Sequence, residues 1–218
     1  PYKLKNLNLV CHLSTYRRAG MVLAASLFVI STSCNRHAFQ PQSAAQDDVS
    51  LALEGLDIDT LDWTGVVNRE GEEATSENEP DVPLVLSFIY TRCPMKTMCP
   101  MAVANLKAVT DQMEQQQLDG KVILFSIDPS FDSPDVLTEY GDTQGLAMKR
   151  WSLLTGDREA FGRITKRFGI TTEGESGAIM HNMRTMVMDS DHVTRWVYRG
   201  GALPSQEIVA AMKALQPQ

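Results

Sequence analysis

Two cysteines separated by five residues are the most reactive feature of this 218-residue chain. Cys93 and Cys99 enclose the segment Pro-Met-Lys-Thr-Met, and a proline follows the second cysteine. An apolar run precedes the pair and a helical pattern follows it, which predicts a helix start whose free backbone N–H groups lower the thiol pKa. Because the thiolate is both the metal-binding and the nucleophilic form of cysteine, this position permits soft-metal binding or disulfide exchange.

A purely structural disulfide is the simplest alternative for the cysteine pair. Closing so short a loop restricts the unfolded chain by only about 2 kcal/mol, compared with about 4–5 kcal/mol for a loop of about 100 residues. A domain of this length buries enough apolar surface to fold without such a bridge. We therefore expect the two cysteines to have a chemical function and not a purely structural one.

Apolar periodicity places the pair within an alternation of strands and helices. The predicted strands are Val82 to Tyr90, Lys121 to Asp128, Met183 to Asp189 and Thr194 to Arg199. The predicted helices are Met101 to Gln117, Pro134 to Thr143, Asp157 to Phe168 and Ser205 to Leu215. The first strand is apolar on both faces, as in a central strand covered by helices. This order predicts an α/β fold, a thioredoxin-like three-layer sandwich with a central mixed sheet and flanking helices.

The first 34 residues have the pattern of an export signal. Basic residues up to Arg18 precede an apolar run from Ala19 to Ile30, and Cys34 follows shortly after. At about 1.5 Å per residue the run is short for about 30 Å of hydrocarbon, so a removable signal is favoured over a permanent membrane helix. Cys34 is typical of a lipoprotein signal, but Ser31 replaces the usual Leu, and lipidation stays open.

The rest of the chain divides into a tether and a domain. Residues 35–48 are polar and predict a flexible tether, and residues 49–218 form the domain. Within the domain, residues 50–68 predict an irregular hairpin, and the acidic stretch 69–81 predicts a solvated loop. The net charge of -7 argues against a nucleic-acid partner. We expect an exported protein, tethered at the periplasmic side of a bacterial cytoplasmic membrane.

Three separated motifs over roughly residues 82–215 resemble the Sco/SenC family. The first is Phe88-Ile89-Tyr90-Thr91-Arg92-Cys93-Pro94 with Cys99-Pro100, in a variant with five residues between the cysteines. The other two are Ser126-Ile127-Asp128-Pro129 with Asp132-Ser133-Pro134, and His181-Asn182-Met183-Arg184-Thr185. Residues 151–156, WSLLTG, resemble the family's segment between those two.

The resemblance implies that Cys93, Cys99 and His181 bind one copper ion and that the cysteines are a redox pair. Two thiolates and an imidazole suit Cu(I) and tolerate Cu(II). The implied function is a metallochaperone for the binuclear copper centre of a cytochrome c oxidase subunit, with other copper chaperones or thioredoxin-like reductants as further partners. Asp128 and Asp132 are expected to orient the site or contact a partner, and turn chemistry beside prolines is the alternative.

Two other activities use the same cysteines. A thiol:disulfide reductase acting on the copper-ligand cysteines of a partner needs only the pair, and His181 is then incidental. A peroxiredoxin-like peroxidase fits less well, because that family places Thr three residues before its reactive cysteine and this chain has Tyr90 there.

Zinc and methionine-bound copper are the alternative metal sites. Structural zinc normally needs four protein ligands, and the fourth here falls to His192, which is predicted in a solvated turn. Thioethers bind Cu(I), although core packing is the stronger explanation for most methionines near the site. These methionines are Met95, Met98, Met101, Met180, Met183, Met186 and Met188.

Overall fold

A computed structural model describes residues 53–174 and 178–216 of the chain. The predicted signal, the tether and Cys34 lie outside these residues. Within them, no helix combines the length and the apolar composition that crossing a membrane requires.

Eight strands and four α-helices make up the described fold. The strands are β1 (Val66–Asn68), β2 (Leu84–Ile89), β3 (Lys121–Ser126), β4 (Trp151–Gly156), β5 (Thr172–Glu173), β6 (Met180–His181), β7 (Arg184–Met188) and β8 (Thr194–Arg199). The helices are α1 (Cys99–Gln115), α2 (Pro134–Gln144), α3 (Arg158–Arg167) and α4 (Ser205–Ala214).

Six of these strands form one mixed sheet in the order β1-β4-β3-β2-β7-β8. Strands β2, β3 and β4 are parallel, and β1, β7 and β8 pair antiparallel with their neighbours. The separate pair β5 and β6 aligns Thr172 with His181. Because parallel strands end at the same edge of a sheet, the loops after β2, β3 and β4 come together there.

Strand β2 is the centre of the core. All six of its residues are buried, as expected for a strand with both faces covered. The ring of Phe88 lies 5.8 Å from that of Phe125 on β3 and 5.3 Å from that of Phe168 after α3. Helices α1 and α4 pack together, while α2 and α3 pack on β4. The predicted α/β, thioredoxin-like fold is confirmed.

Local sequence determines where helices begin at the sheet edge at which the parallel strands end. The Ser133 side chain accepts a hydrogen bond from the Val136 N–H, and Pro134 opens α2. The Asp157 side chain caps α3 in the same way, through the Ala160 N–H. The helices that follow β3 and β4 therefore each begin at a side-chain cap.

The segment before β2 differs from the prediction. Residues 50–68 were expected to form a hairpin, but the chain turns back later, and Val67 pairs with Glu73 inside the predicted loop. Strand β1 also joins the main sheet, with Val66 opposite Gly156. After α3, residues 172–173 form β5, which pairs with β6. These pairings depend on segments that are distant in sequence, and local periodicity does not detect them.

The prediction of a solvated His192 is wrong. His192 is 4 % exposed, and its Nδ1 lies 3.1 Å from Asp59 Oδ1. Its Nε2 lies 3.1 Å from the carbonyl oxygen of Pro80. The turn between β7 and β8 is covered by the chain segments that precede β2, which makes this histidine a contact between three segments.

Candidate metal centre

The cysteine loop runs from the end of β2 to the start of α1. Cys99 is the first residue of α1 and is 1 % exposed, whereas Cys93 lies in the loop and is half-buried. Both are free thiols. The Cys93 Sγ lies 3.9 Å from the carbonyl oxygen of Met95, within the same loop. The structure therefore confirms the predicted strand, cysteine pair and helix start in this order.

Burial decides the acidity of Cys99. It raises the pKa of the Cys99 thiol to about 12, and the neighbouring Cys93 side chain adds to this, against a backbone hydrogen bond from Tyr90. The expected lowering by the helix start does not hold for this thiol, because desolvation of the thiolate outweighs the N-terminal N–H groups. A bound cation compensates a buried thiolate, since a coordinating thiol gives up its proton.

His181 meets Cys99 through its Nε2 atom. This nitrogen lies 3.4 Å from the Cys99 Sγ, and Nδ1 lies 3.0 Å from the carbonyl oxygen of Asn182. Because a carbonyl only accepts, Nδ1 carries the proton and Nε2 presents its lone pair to the sulfur. Burial lowers the pKa of His181, which favours the same neutral form. This is the form in which imidazole binds a metal.

The spacing of these two atoms fits a shared metal ion. Tetrahedral bonds of about 2.3 Å to a thiolate and about 2.0 Å to an imidazole nitrogen keep the two ligand atoms about 3.5 Å apart. The observed separation between Cys99 Sγ and His181 Nε2 is 3.4 Å. The chemistry of the donors, sulfur and neutral imidazole, suits a soft metal such as Cu(I).

Cys93, the third predicted ligand, lies beside Cys99 and His181, but the three described side chains do not form one metal-binding group. Over residues 53–174 and 178–216, no group of three or more His, Cys, Asp or Glu side chains is close enough together to hold a metal ion. Cys93 lies close enough to Cys99 and Tyr90 to raise the pKa of both side chains. The structure thus brings together Cys99 and His181, with Cys93 beside them on the loop.

Asn182 fixes the strand that carries His181. Its Nδ2 donates to the Gly169 carbonyl at 2.8 Å, and its Oδ1 accepts from the Thr171 N–H at 2.8 Å. These bonds tie β6 to the chain after α3. The backbone next to His181 is therefore held in place by two side-chain hydrogen bonds.

Tyr90 is a site residue to which the sequence analysis assigned no role of its own at the site. It is 1 % exposed, and its ring packs edge-on against His181 with ring centres 6.1 Å apart. Burial and the Cys93 side chain raise the pKa of Tyr90 to about 12. Its position three residues before Cys93, at the end of a buried strand, was the available signal.

Asp128 and Asp132 lie in the loop after β3, and both are buried. Asp128 Oδ2 accepts from Arg92 Nε at 2.7 Å. The carboxylate of Asp132 accepts from the Thr91 N–H at 3.1 Å and from Ser126 Oγ at 2.5 Å. Burial raises the pKa of Asp132, opposed by these hydrogen bonds. Two residues that precede Cys93 are thus bonded to the neighbouring loop.

Two exposed apolar side chains lie close to these loops. Phe131 is 44 % exposed, and the Arg92 guanidinium stacks over its ring at 4.1 Å. Met180, the neighbour of His181, is 53 % exposed. A cavity of about 550 Å³ adjoins the loop after β3 and is lined by Ile127, Asp128, Phe161, Thr172 and Ile179 among others.

A glycine packs directly on the cysteine loop. A Cβ atom at Gly201 would lie 2.7 Å from the Met98 carbonyl oxygen and would also overlap the Thr97 carbonyl oxygen. The Gly201 carbonyl accepts from Asn105 Nδ2, on α1, at 3.1 Å. The loop before α4 therefore supports the residues just ahead of Cys99, a role that its sequence did not reveal.

His192 and three of the seven methionines fall outside this arrangement. His192 contacts Pro80, ahead of β2, whereas the cysteines follow the opposite end of that strand. It cannot complete a zinc site with them. Met183, Met186 and Met188 are buried core residues, as core packing predicts.

Comparison with known families gives a match over most of the chain. The family model described as SCO1/SenC matches residues 63–216. A curated relative, the SCO1 protein homolog of Bacillus subtilis, is 28% identical over 89 residues, which are 41% of this chain and 45% of the relative. The chain thus spans about half the length of the curated relatives it matches.

Solved structures share the fold. A SCO1/SenC family lipoprotein from Bacillus anthracis superposes with a TM-score of 0.63 at 25% identity, over 73% of this chain and 96% of that one. Arabidopsis thaliana ScoI, solved with copper bound, gives a TM-score of 0.61 at 20% identity, over 69% and 94% of the two chains.

Proposed function

Because the chain belongs to the SCO1/SenC family, we propose that it binds one copper ion through Cys93, Cys99 and His181. The observation that carries the proposal is the 3.4 Å contact between Cys99 Sγ and the unprotonated Nε2 of His181. Copper bound in a solved relative, Arabidopsis ScoI, supports the choice of metal. Cys93 completes the set by turning its sulfur from the Met95 carbonyl towards the pair.

The metal is cargo rather than a resident cofactor. A copper ion displaces the thiol protons and is held by soft ligands at the sheet edge, close to solvent on the Cys93 side. A disulfide oxidant converts Cys93 and Cys99 to a disulfide and is itself reduced to two thiols by the two electrons and two protons, which takes away both sulfur ligands. The cysteine pair therefore sets the state in which copper is bound or released.

The proposed recipient is the binuclear copper centre of a cytochrome c oxidase subunit. A solved structural relative, BsSco, is a member of the Sco family of cytochrome c oxidase assembly proteins. Delivery needs a site that exposes one ligand to the partner, and half-buried Cys93 meets that need. Other copper chaperones or thioredoxin-like reductants supply the copper or the electrons.

The proposed location is the periplasmic side of a bacterial cytoplasmic membrane. Two features support it: the export-signal pattern of residues 1–34 and the polar tether that follows. The relative from Bacillus anthracis is a lipoprotein. A lipid on Cys34 is the proposed anchor.

Anaerobic titration with Cu(I) against a competing chelator tests the metal site. The reduced protein is compared with Cys93→Ala, Cys99→Ala and His181→Ala, and with His192→Asn as a matched histidine control. We expect one tight equivalent in the parent and in the control, and its loss in the other three. Tight binding that survives in His181→Ala contradicts the three-ligand site.

A second candidate is a thiol:disulfide reductase acting on the copper-ligand cysteines of a partner. The asymmetry of the pair favours it, since half-buried Cys93 can attack while buried Cys99 resolves the mixed disulfide. Under this function His181→Ala leaves the rate of disulfide reduction unchanged. Measuring that rate on a peptide disulfide separates the two functions, because a copper chaperone reduces such a peptide slowly.

A further inference from the structure

Asp132 holds the backbone that leads to Cys93. It is fully buried, and its carboxylate takes three donors: the Thr91 N–H at 3.1 Å, Thr91 Oγ1 at 2.5 Å and Ser126 Oγ at 2.5 Å. We propose that Asp132 is a positioning residue that, through Thr91, keeps Cys93 within reach of Cys99 and His181. The hydrogen bonds of Asp132 do not depend on any assigned function. The reason for holding Cys93 near Cys99 and His181 rests on the proposed copper function.

Local turn chemistry does not account for these bonds. An Asp that only stabilises a turn bonds to its own backbone one or two residues away. Two of the three donors to Asp132 come from Thr91, 41 residues earlier in the chain, and the third comes from the end of β3. The carboxylate therefore joins the loop after β2 to the loop after β3.

The strength of the contact comes from the carboxylate. Oδ2 accepts from both the Thr91 N–H and Ser126 Oγ, and Oδ1 accepts from Thr91 Oγ1. Asparagine can take the same place only if the Thr91 hydroxyl turns to accept from the new NH₂ group, and it loses the negative charge that strengthens all three bonds. Water does not replace the carboxylate easily, because Asp132 is 0% exposed.

Within the cysteine loop, the backbone hydrogen bond at Cys93 is longer than the one next to Cys99. The Cys93 N–H reaches the Tyr90 carbonyl at 3.4 Å, and the Met98 N–H reaches the Met95 carbonyl at 3.0 Å. The bonds to Asp132 act two residues before Cys93, so a change of the backbone at Thr91 also displaces the Cys93 sulfur. Asp128 adds a second contact by holding Arg92.

Three variants and a matched control test the proposal in the full-length protein. Asp132→Asn and Thr91→Val weaken the contact, and Thr91→Ser preserves the hydroxyl. Asp157→Asn is the control, since Asp157 also follows a parallel strand but bonds the Ala160 N–H at 2.7 Å and not the cysteine loop. We expect Asp132→Asn and Thr91→Val to lower Cu(I) affinity by about 10- to 100-fold, the usual effect of losing a bond behind a metal ligand.

A copper-free measurement separates this proposal from the proposed function. Oxidised glutathione converts Cys93 and Cys99 to a disulfide while it is itself reduced to two thiols, and the equilibrium constant reports how closely the loop holds the two sulfurs. We expect the constant to fall about tenfold in Asp132→Asn and Thr91→Val, a shift of about 30 mV. Thr91→Ser and Asp157→Asn are expected to match the parent.

The outcomes are distinguishable. If the parent protein binds copper weakly but Asp132→Asn and Thr91→Val show the glutathione shift, the positioning role stands and the copper function fails. Folded Thr91→Val with unchanged copper affinity and an unchanged glutathione constant overturns the positioning role, as does an equal shift in Asp157→Asn. If Asp132→Asn fails to fold, the contrast between Thr91→Val and Thr91→Ser decides.

Discussion

His181 and His192 are both buried, but their hydrogen bonds give them opposite protonation states. His181 donates from Nδ1 to a carbonyl and keeps a lone pair at Nε2. In His192 both ring nitrogens face acceptors, Asp59 Oδ1 and the Pro80 carbonyl, and only the imidazolium can donate to both. His181 can therefore bind a metal ion through Nε2, whereas the hydrogen bonds of His192 favour its protonated form.

The charge on His192 makes stability depend on pH. Burial opposes protonation, but the bonds to Asp59 and the Pro80 carbonyl, with the charges of Asp59 and Asp81, raise the pKa of His192. A folded-state pKa above the unfolded value of about 6.5 means that the stabilisation is complete below about pH 6.5. It is lost as the pH rises through the folded-state pKa.

His192→Asn tests this dependence. Asparagine tolerates the positive φ of 56° at this position, so the backbone is preserved. We expect the variant to lose about 1–3 kcal/mol of unfolding free energy at pH 6, the size of a hydrogen bond to a charged group, and less at pH 8. Urea unfolding at both pH values measures the difference, and a loss that grows towards pH 8 contradicts the charged form.

At the scale of elements, the loop before α4 supports the cysteine loop through Gly201. Gly201→Ala places a Cβ against the carbonyl oxygens of Thr97 and Met98. We expect it to lower the unfolding free energy by about 1–3 kcal/mol, as overpacking does, and to weaken Cu(I) binding. Chemical denaturation measures the unfolding free energy, and chelator competition measures the Cu(I) affinity.

Gly162→Ala is the matched control for that substitution. Gly162 is exposed inside α3, and an added Cβ meets nothing within 4 Å. Alanine should therefore raise the unfolding free energy by about 0.5–1 kcal/mol through helix propensity and leave copper binding unchanged. Equal losses in both variants would show that Gly201 has no special role at the site.

The sequence allowed most core elements, but few of the long-range contacts, to be predicted. The strand before Cys93 and the helix after it follow from apolar periodicity, which is local. Strand β4 was noticed only through its resemblance, because Ser152 and Thr155 interrupt its apolar pattern. The bonds of Asp132 to Thr91 and the burial of His192 join distant segments, and no local pattern encodes them.

At the scale of the whole molecule, the anchoring proposal concerns the residues ahead of the folded domain. Cys34 follows the apolar run at the position expected for lipidation. We expect Cys34→Ser to move the protein from the membrane fraction to the soluble periplasmic fraction, with Cys11→Ser as a control that stays on the membrane. Fractionation followed by immunoblotting measures this. A Cys34 variant that remains membrane-bound points instead to a retained N-terminal membrane segment.

The central claim is that one copper ion is bound by two sulfurs and one imidazole at the end of β2. X-ray absorption spectroscopy of the reduced protein loaded with one equivalent of Cu(I) tests it most directly. We expect two sulfur ligands and one nitrogen ligand, the loss of the nitrogen in His181→Ala, and an unchanged spectrum in His192→Asn. A copper environment of sulfur alone in the parent protein, or a nitrogen that persists in His181→Ala, contradicts the claim.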